Sequence, residues 1–175
     1  PFGCFDGVLL MELITDEVGD VAPRLNDVVM SKEQAIEDHQ LVMNYVLRML
    51  CAGIIHGDLS EFNVLVDEYG PVIIDLPQAV DASANNNAKA MLIRDVDNMT
   101  HYYGQFAPEL LLSKYAQEMW ALYESGELTF ETKLTGLFEE SNISADVDNV
   151  IEEIKAAFLE EQDRLQRIEE ANEID

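Results

Sequence analysis

Apolar and polar positions change their spacing several times along the chain, and each change predicts an element. Residues 7–14, "GVLLMELI", form an apolar run broken only by Glu12. Such a run predicts a buried strand. Residues 15–27, "TDEVGDVAPRLND", lose the pattern and carry Gly19 and Pro23, so they read as a linker. A helical period then takes over. Ile36, Met43, Val46, Leu47 and Leu50 fall on one face of a helix running to about Ala52. Ser31 and Gln34 have the spacing of a capping box, Met30 can staple the entry, and Gly53 is placed to end the helix.

The pattern next shortens. Two apolar segments, 64–66 and 71–74, flank the acidic, glycine-ended "DEYG", which predicts a hairpin. Pro71 can only open its strand or sit at an edge. Asp75 ends the second strand. Everything beyond reads as helix. Asn87 is placed to cap a helix through Gly104. Residues 108–125, "PELLLSKYAQEMWALYES", predict one more, with Pro108 in its first turn and Gly126 beyond its end. A last long helix is expected from Asp146. Val147, Val150, Ile151, Ile154, Phe158, Leu165 and Ile168 form its apolar stripe, opposite a solvated face of Glu and Asp. The expected fold class is α+β: mostly helical, with a small β-hairpin and a strand at one edge.

Composition narrows the function classes. With 175 residues, 48% of them hydrophobic, the chain can bury a real core. No run of 18 apolar residues exists, so no membrane span is expected. The net charge is −25, from 35 acids against 10 bases. That field repels a phosphate backbone and disfavours direct nucleic-acid binding by this segment. A basic partner, a basic segment elsewhere in the protein and a salt-adapted surface each fit the charge. Cys4 and Cys51 are too few for a disulfide scaffold and lie in apolar contexts. They read as reduced, mostly buried thiols of a cytoplasmic protein. The start, "PFGCFDG", has no Met and no signal-peptide layout, so a processed or truncated chain is expected.

Candidate chemistry lies in "IIHGDLSEFNVLV", residues 54–66. Phosphoryl transfer asks a protein for positioning and charge neutralisation, usually through Mg²⁺. Mg²⁺ accepts one or two carboxylates and an amide oxygen, and keeps waters. A further carboxylate must take or orient the proton of the attacking hydroxyl. Asn63 enters the first hairpin strand and Asp75 leaves the second, so the hairpin should make them neighbours fit to share a metal. Asp58 is one loop away, placed for a base. Taken singly, each of these residues is more often a turn or cap residue, and His56 reads as structural. The combination H-G-D-x-x-x-x-N, then apolar–apolar–Asp after a hairpin, is what points to chemistry.

"HGDLSEFNVL" resembles the catalytic loop of the protein-kinase-like superfamily, H-x-D-x-x-x-x-N. Together with "LLMELI", "VIIDLPQAVD" and "NNNAKAMLIRDVDN", it resembles the RIO family of atypical serine/threonine protein kinases, of bacterial or archaeal type. The resemblance spans about residues 7–103. It implies a kinase-like C-terminal lobe with hinge, using ATP and Mg²⁺. Asp58 would be the catalytic base, and Asn63 and Asp75 would hold the metal. Asp75 would also be an acceptor forming an aspartyl-phosphate, which gives ATPase behaviour. Glu12 and Ile14 would pair with adenine through backbone atoms, and Met11 would line the adenine pocket.

On this resemblance, residues 1–14 close an N-lobe strand and hinge, 15–130 form the C-lobe, and 131–175 are a helical extension. Gly57 stands where many protein kinases have Arg, and residues 76–86 leave no room for a long activation loop, so control by phosphorylation of such a loop is not expected. No glycine-rich loop and no N-lobe lysine precede the hinge. The expected partners are therefore the missing N-terminal lobe, a protein substrate and a ribosomal precursor particle, and the chain alone is expected to be inactive. Two alternatives are a small-molecule phosphotransferase of the aminoglycoside or choline kinase sort and a non-catalytic scaffold in ribosome assembly.

Overall fold

The computed structural model describes residues 2–139. The helix expected from Asp146 and most of the expected extension lie outside the described residues. Within them the chain is mixed helix and sheet, with three α-helices and three two-stranded antiparallel sheets. The elements are β1 (Gly3–Phe5), β2 (Val8–Leu10), α1 (Lys32–Cys51), β3 (Ile54–Ile55), β4 (Val64–Asp67), β5 (Gly70–Ile73), β6 (Val80–Asp81), α2 (Ala88–Gly104) and α3 (Tyr115–Ser125).

The core is a packed face of α1 against α2, with α3 laid on both. Val42, Met43, Val46, Leu47 and Leu50 of α1 meet Leu92, Val96, Met99 and Tyr103 of α2, and Met119 and Trp120 of α3 complete the cluster. Burying each large apolar side chain contributes about 1.5–3 kcal/mol. α1 begins where its sequence says: Ser31 Oγ accepts the Gln34 N–H at 3.1 Å. Only half of the expected capping box forms, because the Gln34 amide donates to Asp38 Oδ1 at 2.8 Å. Met30 packs on the core, and Gly53, at φ 76°, follows the last turn.

The hairpin pairs Val64 with Ile73 and Asp67 with Gly70, so the turn is Glu68–Tyr69. The segment after residue 14 docks on its free edge. Arg24 bridges Leu65, Val66 N–H donates to Pro23 O at 2.9 Å, and the Tyr102 hydroxyl donates to Leu25 O at 2.6 Å.

Four expectations need correction. The apolar run 7–14 is not a buried strand: β2 covers Val8–Leu10 only, and Val8, Leu10, Met11 and Leu13 are exposed on a two-stranded ribbon. Cys4 sits on that ribbon and is exposed, while Cys51 is half-buried. Asn87 makes no side-chain cap. Its N–H is instead taken by Asn85 Oδ1 at 2.8 Å.

The segment 108–125 is not one helix. Pro108–Leu112 is a 3-10 turn and α3 starts at Tyr115. The break has two anchors: the Ser113 hydroxyl donates back to Leu110 O at 2.7 Å, and Lys114 N–H donates to Gly136 O at 2.8 Å. The returning strand of chain is held by Glu118, whose carboxylate accepts from Thr135 and Gly136 N–H groups at 2.9 and 2.7 Å. Gly104 lets Leu111 of the 3-10 turn approach closer than a Cβ would allow.

Candidate active site

The loop 56–63 lies between two small sheets. β3 pairs with β6, through Ile54 with Asp81 and Ile55 with Val80. That pairing was not expected from the sequence, and it closes the far side of the loop. Ile74 N–H donates to Asn63 O at 3.0 Å, extending the β4–β5 ladder one step. Asn63 and Asp75 are therefore brought to the same end of the hairpin. Asn63 Nδ2 donates to Asp58 O at 2.9 Å, tying the loop's start to its end.

His56 is buried and bridges loop and sheet. Its Nδ1 takes the Asp58 N–H at 3.3 Å, so Nε2 carries the proton and donates to Ile74 O at 2.9 Å. Its position is that of a structural residue. Asp58 and Asp75 are both exposed. Asp58 Oδ2 accepts from Gln78 Nε2 at 3.2 Å. Asp75 stands at φ 67°, ψ 59°, a left-handed conformation that costs a non-glycine residue about 1–2 kcal/mol. Asp75 precedes the 3-10 turn Leu76–Gln78.

Asp95 was not assigned a role from the sequence, although it lies in "RDVDN". It is buried, its Oδ2 accepts the Gly57 N–H at 2.7 Å, and its Oδ1 accepts the Leu59 N–H at 3.1 Å. Burial pushes its carboxyl above the usual range, against the opposing pull of those two N–H groups, His56 and Arg94. Arg94 donates to Gly57 O, and Asn98 Nδ2 donates to Leu59 O at 3.0 Å. Three side chains of α2, spaced for one helix face, thus hold the backbone on either side of Asp58. Of the three only Asp95 is buried, while Arg94 and Asn98 are exposed, so the legible signal was one Asp within the apolar stripe of Leu92, Val96 and Met99, where unpaired polar groups are rare.

Met11 and Glu12 are exposed and Ile14 is half-buried. Ile14 O accepts from Ala22 N at 3.0 Å, while its N–H has no backbone partner among the described residues. Among the described residues no helix is long and apolar enough to cross a membrane.

The RIO domain model matches residues 1–117. The chain belongs to the RIO domain family. It is 37% identical over 103 residues to the RIO-type serine/threonine-protein kinase Rio1 of Haloferax volcanii, a match covering 59% of this chain and 34% of that relative. To the RIO-type serine/threonine-protein kinase Rio2 of Methanocaldococcus jannaschii it is 41% identical over 91 residues, covering 51% and 33%. To the Rio1 kinase of Thermoplasma acidophilum it is 36% identical over 103 residues, covering 59% and 52%. The matches thus span between a third and about half of the length of these three curated relatives. The family and its archaeal relatives agree with the resemblance read from "HGDLSEFN" and "VIIDLPQAVD".

Proposed function

We propose that this chain supplies the base and metal-holding half of a RIO-type serine/threonine kinase site of the kinase-like C-lobe kind, transferring the terminal phosphoryl group of ATP with Mg²⁺. The observation that carries the reading is the Ile74–Asn63 hydrogen bond, which sets Asn63 beside Asp75 with Asp58 tied to Asn63 at 2.9 Å. Relatives named as RIO-type serine/threonine kinases support the same reading.

The donor set fits Mg²⁺. Asn63 spends its amide N–H on Asp58 O, which leaves Oδ1 as an oxygen ligand. Asp75 adds one exposed carboxylate. No group of three or more His, Cys, Asp or Glu among the described residues could hold a metal. A site of one amide and one carboxylate, completed by phosphate and water oxygens, is what Mg²⁺ accepts and what Zn²⁺ does not. When bound, Mg²⁺ neutralises the phosphate charge.

Asp58 takes the proton of the acceptor hydroxyl. Its backbone is fixed from α2, so the carboxylate is presented without reorganisation at the moment of transfer. Asp75, exposed and held in a strained conformation, is the second carboxylate of the reaction and the residue on which an aspartyl-phosphate would form. The Ile14 N–H and Glu12 carbonyl would take adenine, beside Met11. The acceptor is a protein hydroxyl, and a ribosomal precursor particle is the partner the family likeness suggests, reached by protein contacts rather than through nucleic acid. The test offers labelled ATP and Mg²⁺ to the full-length protein with a protein acceptor, an aminoglycoside and choline. Label on protein is expected. Label on the small molecules alone overturns the reading.

A further inference from the structure

A hollow of about 500 Å³ lies between the first half of α1 and the turn of the β4–β5 hairpin. A second, of about 350 Å³, shares Val66, Asp67 and Glu68 with it and adds Asp16, Val18 and Pro23. Both sit at the far end of the hairpin from Asn63 and Asp75. Strands of 4 residues, at about 3.3 Å each, put about 13 Å between the two ends. No residue of the loop 56–63 lines either hollow.

Six carboxylates line the pair: Asp16 and Glu17, Glu37 and Asp38 of α1, and Asp67 and Glu68 of the hairpin. No Lys, Arg or His lines either one, and the Lys32–Glu109 ion pair uses none of the six. Between the acids the lining is apolar, through Val28, Leu41 and Val66. A rim of exposed acids alone is an ordinary solvated surface. Asp38 sets this one apart. It is 2% exposed, yet it lines the larger hollow. Its Oδ1 accepts the Gln34 amide at 2.8 Å, and its Oδ2 accepts nothing among the described residues. Burying a carboxylate costs free energy unless each oxygen finds a donor. Gly70 keeps the approach to it open. A Cβ there, at φ 122°, would stand 3.3 Å from Leu41 Cδ1 and 3.8 Å from Asp38 Oδ1.

The arrangement does not suit a single ion. Among the described residues no three acids converge closely enough to hold a metal. The charge is spread along the surface and interleaved with apolar side chains. That suits several cations on one chain with an apolar group among them. We propose that this trough docks a basic segment of a protein partner. Lys or Arg heads meet the carboxylates, one of them supplying the donor that Asp38 Oδ2 lacks. An apolar side chain of the same segment covers Val28, Leu41 and Val66, beside the methylene stems of the bases. The inference goes beyond the phosphoryl-transfer reading and does not rest on it. The two meet in one respect: a protein held here is held apart from its reacting hydroxyl.

The experiment measures binding of a fluorescent peptide, two Arg-Lys pairs flanking a leucine, to the full-length protein by anisotropy at low salt. One triple variant carries Glu17→Gln, Glu37→Gln and Glu68→Gln. A second carries Glu124→Gln, Glu127→Gln and Glu131→Gln, which removes the same charge from exposed positions elsewhere. The first should bind about tenfold more weakly, as three lost ion pairs imply, and the second should bind as wild type does. Asp38→Asn should also bind more weakly although it melts no lower, which separates lost contact from lost fold. A peptide with serine in place of leucine, and spermine, should both bind more weakly than the leucine peptide. Equal losses in the two triple variants, or none in the first, overturn the inference, because the net charge of the chain then explains any attraction. Wild-type binding by Asp38→Asn overturns it too, as does spermine or the serine peptide binding as tightly as the leucine peptide. None of these readouts involves ATP, so failure here leaves the phosphoryl-transfer reading standing.

Discussion

Asp95 holds Asp58 from both sides without touching its carboxylate. Its two oxygens accept the N–H groups of Gly57 and Leu59, at 2.7 and 3.1 Å, the residues before and after Asp58. A carboxylate on α2 thus sets the loop that presents Asp58, the proposed base. Asp95→Asn keeps the volume but turns an NH₂ group toward one of those buried N–H groups. One orphaned buried donor costs about 1–3 kcal/mol. The variant should melt lower by that amount in denaturant titration. It should also lose phosphoryl transfer at temperatures where it remains fully folded.

Gly57 and Gly126 have similar positive φ, 82° and 74°, but different surroundings. A Cβ at Gly57 would lie 2.8 Å from Met91 Cε and 2.9 Å from Gln78 O; at Gly126 it would meet nothing within 4 Å. Alanine at either site pays the left-handed conformation, about 1–2 kcal/mol. Gly57→Ala must also displace the Gln78 backbone. It should therefore be the less stable of the two in paired melts, and it alone should lose turnover.

His39 is buried in α1, with Nε2 on Thr100 Oγ1 at 3.0 Å and ring edges of Tyr103 and Tyr115 about it. Burial lowers its pKa to about 4. The unfolded chain takes up this proton first as pH falls, so stability is lost between about pH 6.5 and 4, roughly 3 kcal/mol in all. Denaturant titrations across that range should show the loss. His39→Gln, which has no proton to gain, should flatten the slope.

Asp38, the neighbouring residue, has the opposite sign. Burial raises its pKa, only partly offset by the Gln34 amide. A carboxyl whose folded pKa is raised stabilises most below its unfolded value and loses that contribution as pH climbs through the folded one. Asp38→Asn should therefore melt higher than wild type at pH 7. The difference should shrink toward pH 4. A variant less stable than wild type at pH 7 would contradict this account.

Much of this architecture could be read from local rules. Ser31 and Gly53 bound α1 as written, the apolar period from Met43 to Leu50 is its buried face, and "DEYG" does turn the hairpin. What escaped was set by distant partners. The break after Leu112 has a local anchor in the Ser113 hydroxyl on Leu110 O, but its other anchor, the Lys114 bond to Gly136, is distant in sequence. Asp38 and His39 interrupt the apolar face of α1 and are legible as buried only once Thr100 and Gln34 are seen beside them. The apolar run 7–14 predicts burial because hydropathy cannot tell a core strand from a surface ribbon.

The same division holds at the site. The spacing H-G-D-x-x-x-x-N placed Asp58 and Asn63 on one loop, and hairpin geometry placed Asp75 near Asn63. The pattern "RDVDN" does not by itself assign a task to Arg94, Asp95 or Asn98. Their contribution appears only when α2 is laid under the loop.

The central claim is that Asp58 is the base of a Mg²⁺- and ATP-dependent phosphoryl transfer. It is tested most directly by the rate at which full-length Asp58→Ala consumes labelled ATP with Mg²⁺, beside wild type of equal folded fraction. A general base contributes typically 10²–10⁴-fold, so a loss of at least about 10²-fold is predicted. A variant that consumes ATP at the wild-type rate would contradict the account.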